Sequence, residues 1–154
     1  MSNPVRVAIR TGDSVPAWQP SFVPLVQRAL EEWAQVGIPV RFVFVEDTTT
    51  AEVRVRWVER LPEQRDGFIR WTSDQRGWLR EADITLATTG SDGRPLGEDG
   101  IRSIALHEAG HLLGLGHSFD MADVMSASVS ARELSERDRA TARLLYALPA
   151  GRVD

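Results

Sequence analysis

The sequence predicts a single α+β domain, and three observations predict it. Apolar residues alternate with a period of two in several short segments ahead of residue 88. Helical spacing appears once early and twice late, so strands and one helix precede two closing helices. The length, 154 residues, suits one hydrophobic core, and residues 1–154 read as one domain without repeat or linker.

Val5, Val7 and Ile9 alternate with Arg6, Ala8 and Arg10, as on a half-buried strand. After Pro16 and Pro20, the apolar residues Phe22, Val26, Ala29, Leu30 and Trp33 recur at helical spacing. That helix is predicted over about residues 21–35, with Pro24 in its first turn and Gly37 beyond its end. Val40, Phe42, Phe44 and Val45 predict a second strand, and Val53, Val55 and Trp57 a third. Residues 61–80 are rich in charge, and within them residues 68–71 predict a short exposed strand. Another strand is predicted over residues 83–87, followed by a glycine-rich loop over residues 88–100. A helix then starts near Asp99 or Gly100, with Asp99 as N-cap, carrying Ile101, Ile104, Ala105, Leu112 and Leu113. The last helix follows Ser135, whose spacing to Asp138 resembles a capping box. Its buried face is expected to be Leu144, Leu145 and Leu148, with Pro149 as the stop.

Composition narrows the function. Hydrophobic residues are 42% and charged residues 26%, which excludes a disordered or fibrous chain. The formal charge is −4, and the 18 basic residues, all arginine, form no stripe, so no nucleic-acid partner is expected. No apolar run approaches the ~20 residues that cross a bilayer, so no membrane span is expected. Cysteine is absent, which excludes disulfides, thiolate ligands and a cysteine nucleophile. The first residues lack a signal-peptide pattern. The expected location is therefore cytoplasmic, or secreted or periplasmic if an export segment preceded Met1.

All three histidines fall in one window, His107-Glu108-Ala109-Gly110-His111-Leu112-Leu113-Gly114-Leu115-Gly116-His117. His107 and His111 are four apart, hence neighbours on one helix face, where two imidazoles can meet one Zn²⁺ at about 2.0–2.1 Å. Gly114 stands where the helix must end and the backbone turn, which lets His117 approach the same ion as third ligand. Three protein ligands leave a tetrahedral position for water, the mark of a catalytic zinc site. Glu108 cannot share the direction of His107 and flanks the ion, placed to take a proton from that water and pass it to a departing amine. Gly110, costly inside a helix by about 1 kcal/mol, reads as a point of close packing with a neighbouring strand or loop.

At these residues the chain resembles the metzincin metallopeptidases and, within them, the matrixins, the group of the matrix metalloproteinases. The match runs from His107 to His117 and includes Glu108 and Gly114, with Ser118 and Asp120 following. Met125 lies where the family places the methionine of its Met-turn, beneath the metal. Leu134-Ser135, Asp138 and Leu145-Tyr146 match the spacing of the closing helix. The resemblance implies a zincin-like fold: a twisted, mixed five-stranded sheet, two long helices, and a C-terminal helix below the cleft. It also implies a minimal, bacterial-type catalytic domain.

The implied activity is that of a zinc endopeptidase acting on proteins or peptides, with His107, His111 and His117 as metal ligands and Glu108 as general base and acid. Gly114 and Met125 would support the site. The substrate would lie along an edge strand, which chain order assigns to Phe68, Ile69, Arg70 and Trp71, although Phe68 and Trp71 read equally well as packing residues. One catalytic zinc is expected. No structural zinc is expected, since no histidine remains for it, and calcium ligands are not recognisable: Asp92, Glu98 and Asp99 read as a solvated turn. Ser126 and Ala127 replace the family's Tyr-Pro after Met125, which alters the wall of the pocket beyond the scissile bond. A monomer is expected. The competing reading is a zinc-binding interaction module that keeps this scaffold with little or no catalysis.

Overall fold

Five strands and three helices follow one another in the computed structural model, which describes residues 3–75 and 79–148. In chain order they are β1 (Val5–Ile9), α1 (Phe22–Ala34), β2 (Phe42–Phe44), β3 (Val53–Val58), β4 (Gly67–Ser73), β5 (Leu79–Ala87), α2 (Gly97–Leu112) and α3 (Glu136–Ala147). The strands form one sheet in the order β2-β1-β3-β5-β4. Four of them are mutually parallel, and β4 closes one edge antiparallel to β5. This is the mixed five-stranded α+β architecture that the sequence predicts.

Register explains why the alternation is so clean. Phe44 lies beside Val7, Val7 beside Val53, and Val53 beside Ala82; one row on, Ile9, Val55, Ile84 and Ile69 align across four strands. These rows share one face and one core with α1 and α2. The opposite face is polar. There Arg54 donates to Asp83 and Glu81 at 3.0 and 2.8 Å, and Arg56 to Thr85 at 2.9 Å. An ion-paired, water-facing side relieves this largely parallel sheet of the need for a second helical layer.

α1 buries Phe22, Leu25, Val26, Ala29, Leu30 and Trp33, spaced three and four apart on one stripe. It ends before Gly37, whose φ of +97° suits glycine. From its last turn the buried Trp33 indole donates to the Leu106 carbonyl at 2.9 Å. That bond fixes the middle of α2, one residue before His107.

Three expectations are corrected. α2 begins at Gly97, earlier than predicted, and Asp99 is not its N-cap but sits in the first turn with Glu98, paired to Arg132 at 2.8 Å. β5 begins at Leu79, ahead of residue 83, because its first residues pair with β4 while their charged side chains hide the alternation. In α3, Leu144 and Leu148 are exposed and Leu145 is barely covered. The inward stripe is instead Asp138, Ala142 and the half-buried Tyr146, four residues apart, because α3 docks through a polar N-terminus. The capping box of Ser135 and Asp138 is present, and Pro149 lies outside the described residues. Among the described residues no helix is long and apolar enough to cross a membrane.

Candidate metal centre and cleft

The end of α2 builds the site. Past the C-cap Leu113, Gly114 takes φ +96°; its N–H bonds the His111 carbonyl at 2.9 Å, and the Leu115 N–H bonds the Gly110 carbonyl at 3.0 Å. This paired closure is a Schellman turn, which reverses the chain and brings His117 back to the helix face. The same turn fixes a ring: His111 Nδ1 donates to the Leu115 carbonyl at 2.8 Å. His107 Nδ1 donates to the Val124 carbonyl, also at 2.8 Å. A carbonyl only accepts, so both Nδ1 atoms carry the hydrogen and both Nε2 atoms present a lone pair.

Those lone pairs converge. His111 Nε2 lies 3.1 Å from His107 Nε2 and 3.2 Å from His117 Nε2. Nitrogen donors 2.0–2.1 Å from a tetrahedral zinc would stand about 3.3 Å apart. Bare imidazole nitrogens that close repel unless a cation lies between them, so the donor set fits a zinc ion. Burial holds His107 well below the usual histidine range, to about 4, against the opposing bond to Val124, with the neighbouring imidazoles lowering it further. Burial also lowers His111. Both rings are thus neutral and able to ligate at pH 7.

Met125 is buried against α2, and Gly110 explains how it fits. A Cβ on Gly110 would strike the Met125 sulfur and come within 3.1 Å of the Trp33 ring. The close-packing reading of Gly110 holds, with partners in both the 118–126 loop and α1. That loop is closed by Ser118 N–H to the Met125 carbonyl at 2.8 Å. It is anchored from α3: the Asp138 carboxylate accepts from Val124 N–H at 2.8 Å and Met125 N–H at 3.4 Å, and from Ser135 N–H at 2.9 Å. Asp138 therefore holds the peptide whose carbonyl orients His107. Asp123 is a second buried node, accepting from the Ser118 hydroxyl, the Ser135 hydroxyl and Arg137. Its burial disfavours the charge, but those donors prevail and set it below the usual carboxylate range. In the sequence Asp138 stands out only as a cap and Asp123 does not stand out, its one available signal being its place a few residues after the histidine motif.

The rings and Glu108 share a cleft of about 500 Å³, also lined by Arg65, Gly67, Phe68, Ile69 and Trp71 of the β4 side and by Ala127, Ser128 and Val129 after Met125. Glu108 is buried, and burial pushes its carboxyl up to about 7 against the lowering influence of Arg65. β4 is the sheet edge that chain order indicated, and it roofs this cleft. Arg70 is the exception among the four residues expected there: it is exposed and does not line the cleft. Trp71 and His111 also border a second, more apolar cavity of about 490 Å³. Asp92, whose carboxylate accepts from Arg94 N–H at 2.9 Å, stands in a local turn.

Comparison with known proteins agrees with this geometry. The chain is 27% identical over 158 residues to Metalloendoproteinase 1 of Glycine max, covering 86% of this chain and 48% of that protein. It is 32% identical over 117 residues to Metalloendoproteinase 1-MMP of Arabidopsis thaliana, covering 69% and 31%. The chain thus spans less than half the length of these relatives. The crystal structure of myroilysin shares the fold, with a TM-score of 0.63 at 14% identity over 94% of this chain and 83% of that one. The matrixin family model matches residues 17–147, and with the zinc-type histidine triad in place the chain belongs to the matrixins, a metzincin family of zinc metallopeptidases.

Proposed function

We propose that this chain is a zinc-dependent endopeptidase that hydrolyses peptide bonds in proteins, with Glu108 as general base and acid. One observation carries the reading: the Nε2 atoms of His107 and His117 lie 3.1 and 3.2 Å from that of His111, beside a buried carboxylate in an open cleft. His107, His111 and His117 would hold one zinc ion, which when bound supplies Lewis acidity that makes a water acidic near neutral pH and polarises a carbonyl. Glu108 takes the water's proton, holds it away from solvent, and gives it to the departing amine. Before a metal binds, burial pushes its carboxyl up to about 7, so the group is not committed to the charged form at neutral pH. Edge strand β4 pairs with β5 on one side only, so its free main-chain groups can accept an extended substrate as a further strand. A scaffold that only held zinc would have no need of a buried carboxylate, which is unfavourable for folding.

The test compares the zinc-loaded protein with its Glu108→Ala variant on casein and a peptide library, with and without chelator. The expected result is chelator-sensitive cleavage by the first and unchanged zinc content with at least a 1,000-fold lower rate in the second, about the upper part of what a positioned base contributes. Equal cleavage by both would remove Glu108 from the mechanism. Absence of chelator-sensitive cleavage would favour the interaction-module reading.

A further inference from the structure

We propose that Gly67 is a positioning residue for Glu108: the missing side chain at the start of the edge strand is the space that the carboxylate occupies. A Cβ built at this position would lie 2.5 Å from Glu108 Oε1, 2.8 Å from Glu108 Cγ and 2.6 Å from Ile104 Cγ2. Ordinary carbon contacts lie near 3.5–4.0 Å. Backbone freedom is not the reason for the glycine, since Gly67 has no positive φ, unlike Gly37, Gly93, Gly97 and Gly114. An alanine would otherwise favour a strand.

Ile104 and Glu108 are four residues apart on α2, so the first residue of β4 rests on both. A side chain here could be relieved in three ways. Ile104 is held in the shared core, and β4 is held by its ladder to β5 from Gly67 onward, opposite Leu86. The Glu108 carboxylate is the free end of a flexible side chain that borders the open cleft. It is the softest of the three, so displacement falls on the base and the metal ligands keep their places.

This inference rests on the proposed role of Glu108, and two measurements separate the two. In the first, the thermal midpoints of the metal-free protein, Gly67→Ala, Glu108→Ala and the double variant form a cycle. Gly67→Ala should lower the midpoint by about 4 °C or more in the parent and by less than half of that where Glu108 is already truncated. In the second, zinc-loaded Gly67→Ala should keep one equivalent of zinc while kcat falls at least tenfold and KM changes less than threefold. Adding Ile104→Ala, which removes the other contact and serves if Gly67→Ala alone does not fold, should leave kcat low. Equal midpoint losses in both backgrounds, or recovery of kcat with Ile104→Ala, would overturn the assignment and make Gly67 a packing residue. A parent without activity would defeat the proposed function, and the midpoint coupling would still decide whether Gly67 and Glu108 share one space.

Discussion

The two walls of the cleft are held by different physics. The floor, α2 with the 118–126 loop, is fixed by buried polar contacts: Val124 to His107, Leu115 to His111, and Asp138 to Val124 and Met125. The roof, β4, is an edge strand bonded along one side, with Phe68 and Trp71 exposed. Ligating a metal needs donor atoms fixed to a fraction of an ångström, and a network with every buried group satisfied supplies that rigidity. Accepting varied extended chains needs unpaired main-chain groups, which only an edge provides. The contrast predicts that damage to the bonds that orient the histidines weakens metal binding, and that damage to the exposed part of the roof, away from the contact of Gly67 with Glu108, changes how substrate is held.

The largest effect should follow loss of a ligand. His111→Ala is expected to reduce zinc affinity and peptide cleavage by at least about 1,000-fold, since two imidazoles lose both a donor and its chelate geometry. Isothermal titration with zinc and residual turnover check it. Next comes Asp138→Ala, which strips the carboxylate from three N–H groups in a buried setting. It should destabilise the fold by about 3 kcal/mol and weaken zinc binding roughly 10–100-fold through His107, as loss of a ligand-orienting partner does. Chemical denaturation of the metal-free protein separates the two consequences. Unchanged zinc affinity would show that the floor holds His107 without Asp138.

The difference between walls also governs what the sequence revealed. In the floor, the clustering of the three histidines was legible because four-residue spacing on a helix, a glycine stop and a third histidine are local facts. Its anchors were not, because Asp138 meets Val124 across 14 residues and Trp33 meets Leu106 across 73, pairings that only folding creates. The roof was legible in position and not in extent. Its central residues alternate, but the flanking Thr72, Arg80 and Glu81 are polar on a water-facing sheet, so β4 and β5 run longer than apolar patterning suggests. The same blindness explains α3, where Leu144 and Leu148 looked like a core face while a buried aspartate sets the docking. Gly67 carried a signal, a glycine opening a strand, which marks close approach by another chain segment.

A smaller effect, of opposite sign, distinguishes His107 from Glu108 within the floor. In the metal-free protein burial raises Glu108 from 4.5 to about 7, so the stability associated with its neutral form is complete below pH 4.5 and lost as pH rises through 7. His107 is depressed from 6.5 to about 4, so the fold keeps full stability above pH 6.5 and loses it as pH falls through 4. Glu108→Gln should therefore stabilise the metal-free protein at pH 8 by up to about 3 kcal/mol and do little at pH 4. Denaturation midpoints at the two pH values check this. A variant equally stable at both, relative to the parent, would mean that the carboxylate is solvated when charged.

The smallest change belongs to the roof and tests the contrast from its weak side. Trp71 is 51% exposed and projects at the boundary between the metal cleft and the adjoining apolar cavity. Because half of its surface already meets water, Trp71→Ala should alter stability by no more than about 1 kcal/mol. It touches no ligand-orienting bond, so zinc affinity should stay within twofold. What it removes is an apolar surface alongside a substrate laid on β4, and the expected loss is a three- to tenfold rise in KM with kcat unchanged, equivalent to about 1 kcal/mol of uniform binding. Peptides with apolar residues near the Ser73 end of the strand should lose most, since that is where the second cavity opens. A fall in kcat or in zinc affinity instead would show that the roof is coupled to the floor through this residue, and the separation of the two walls would no longer hold.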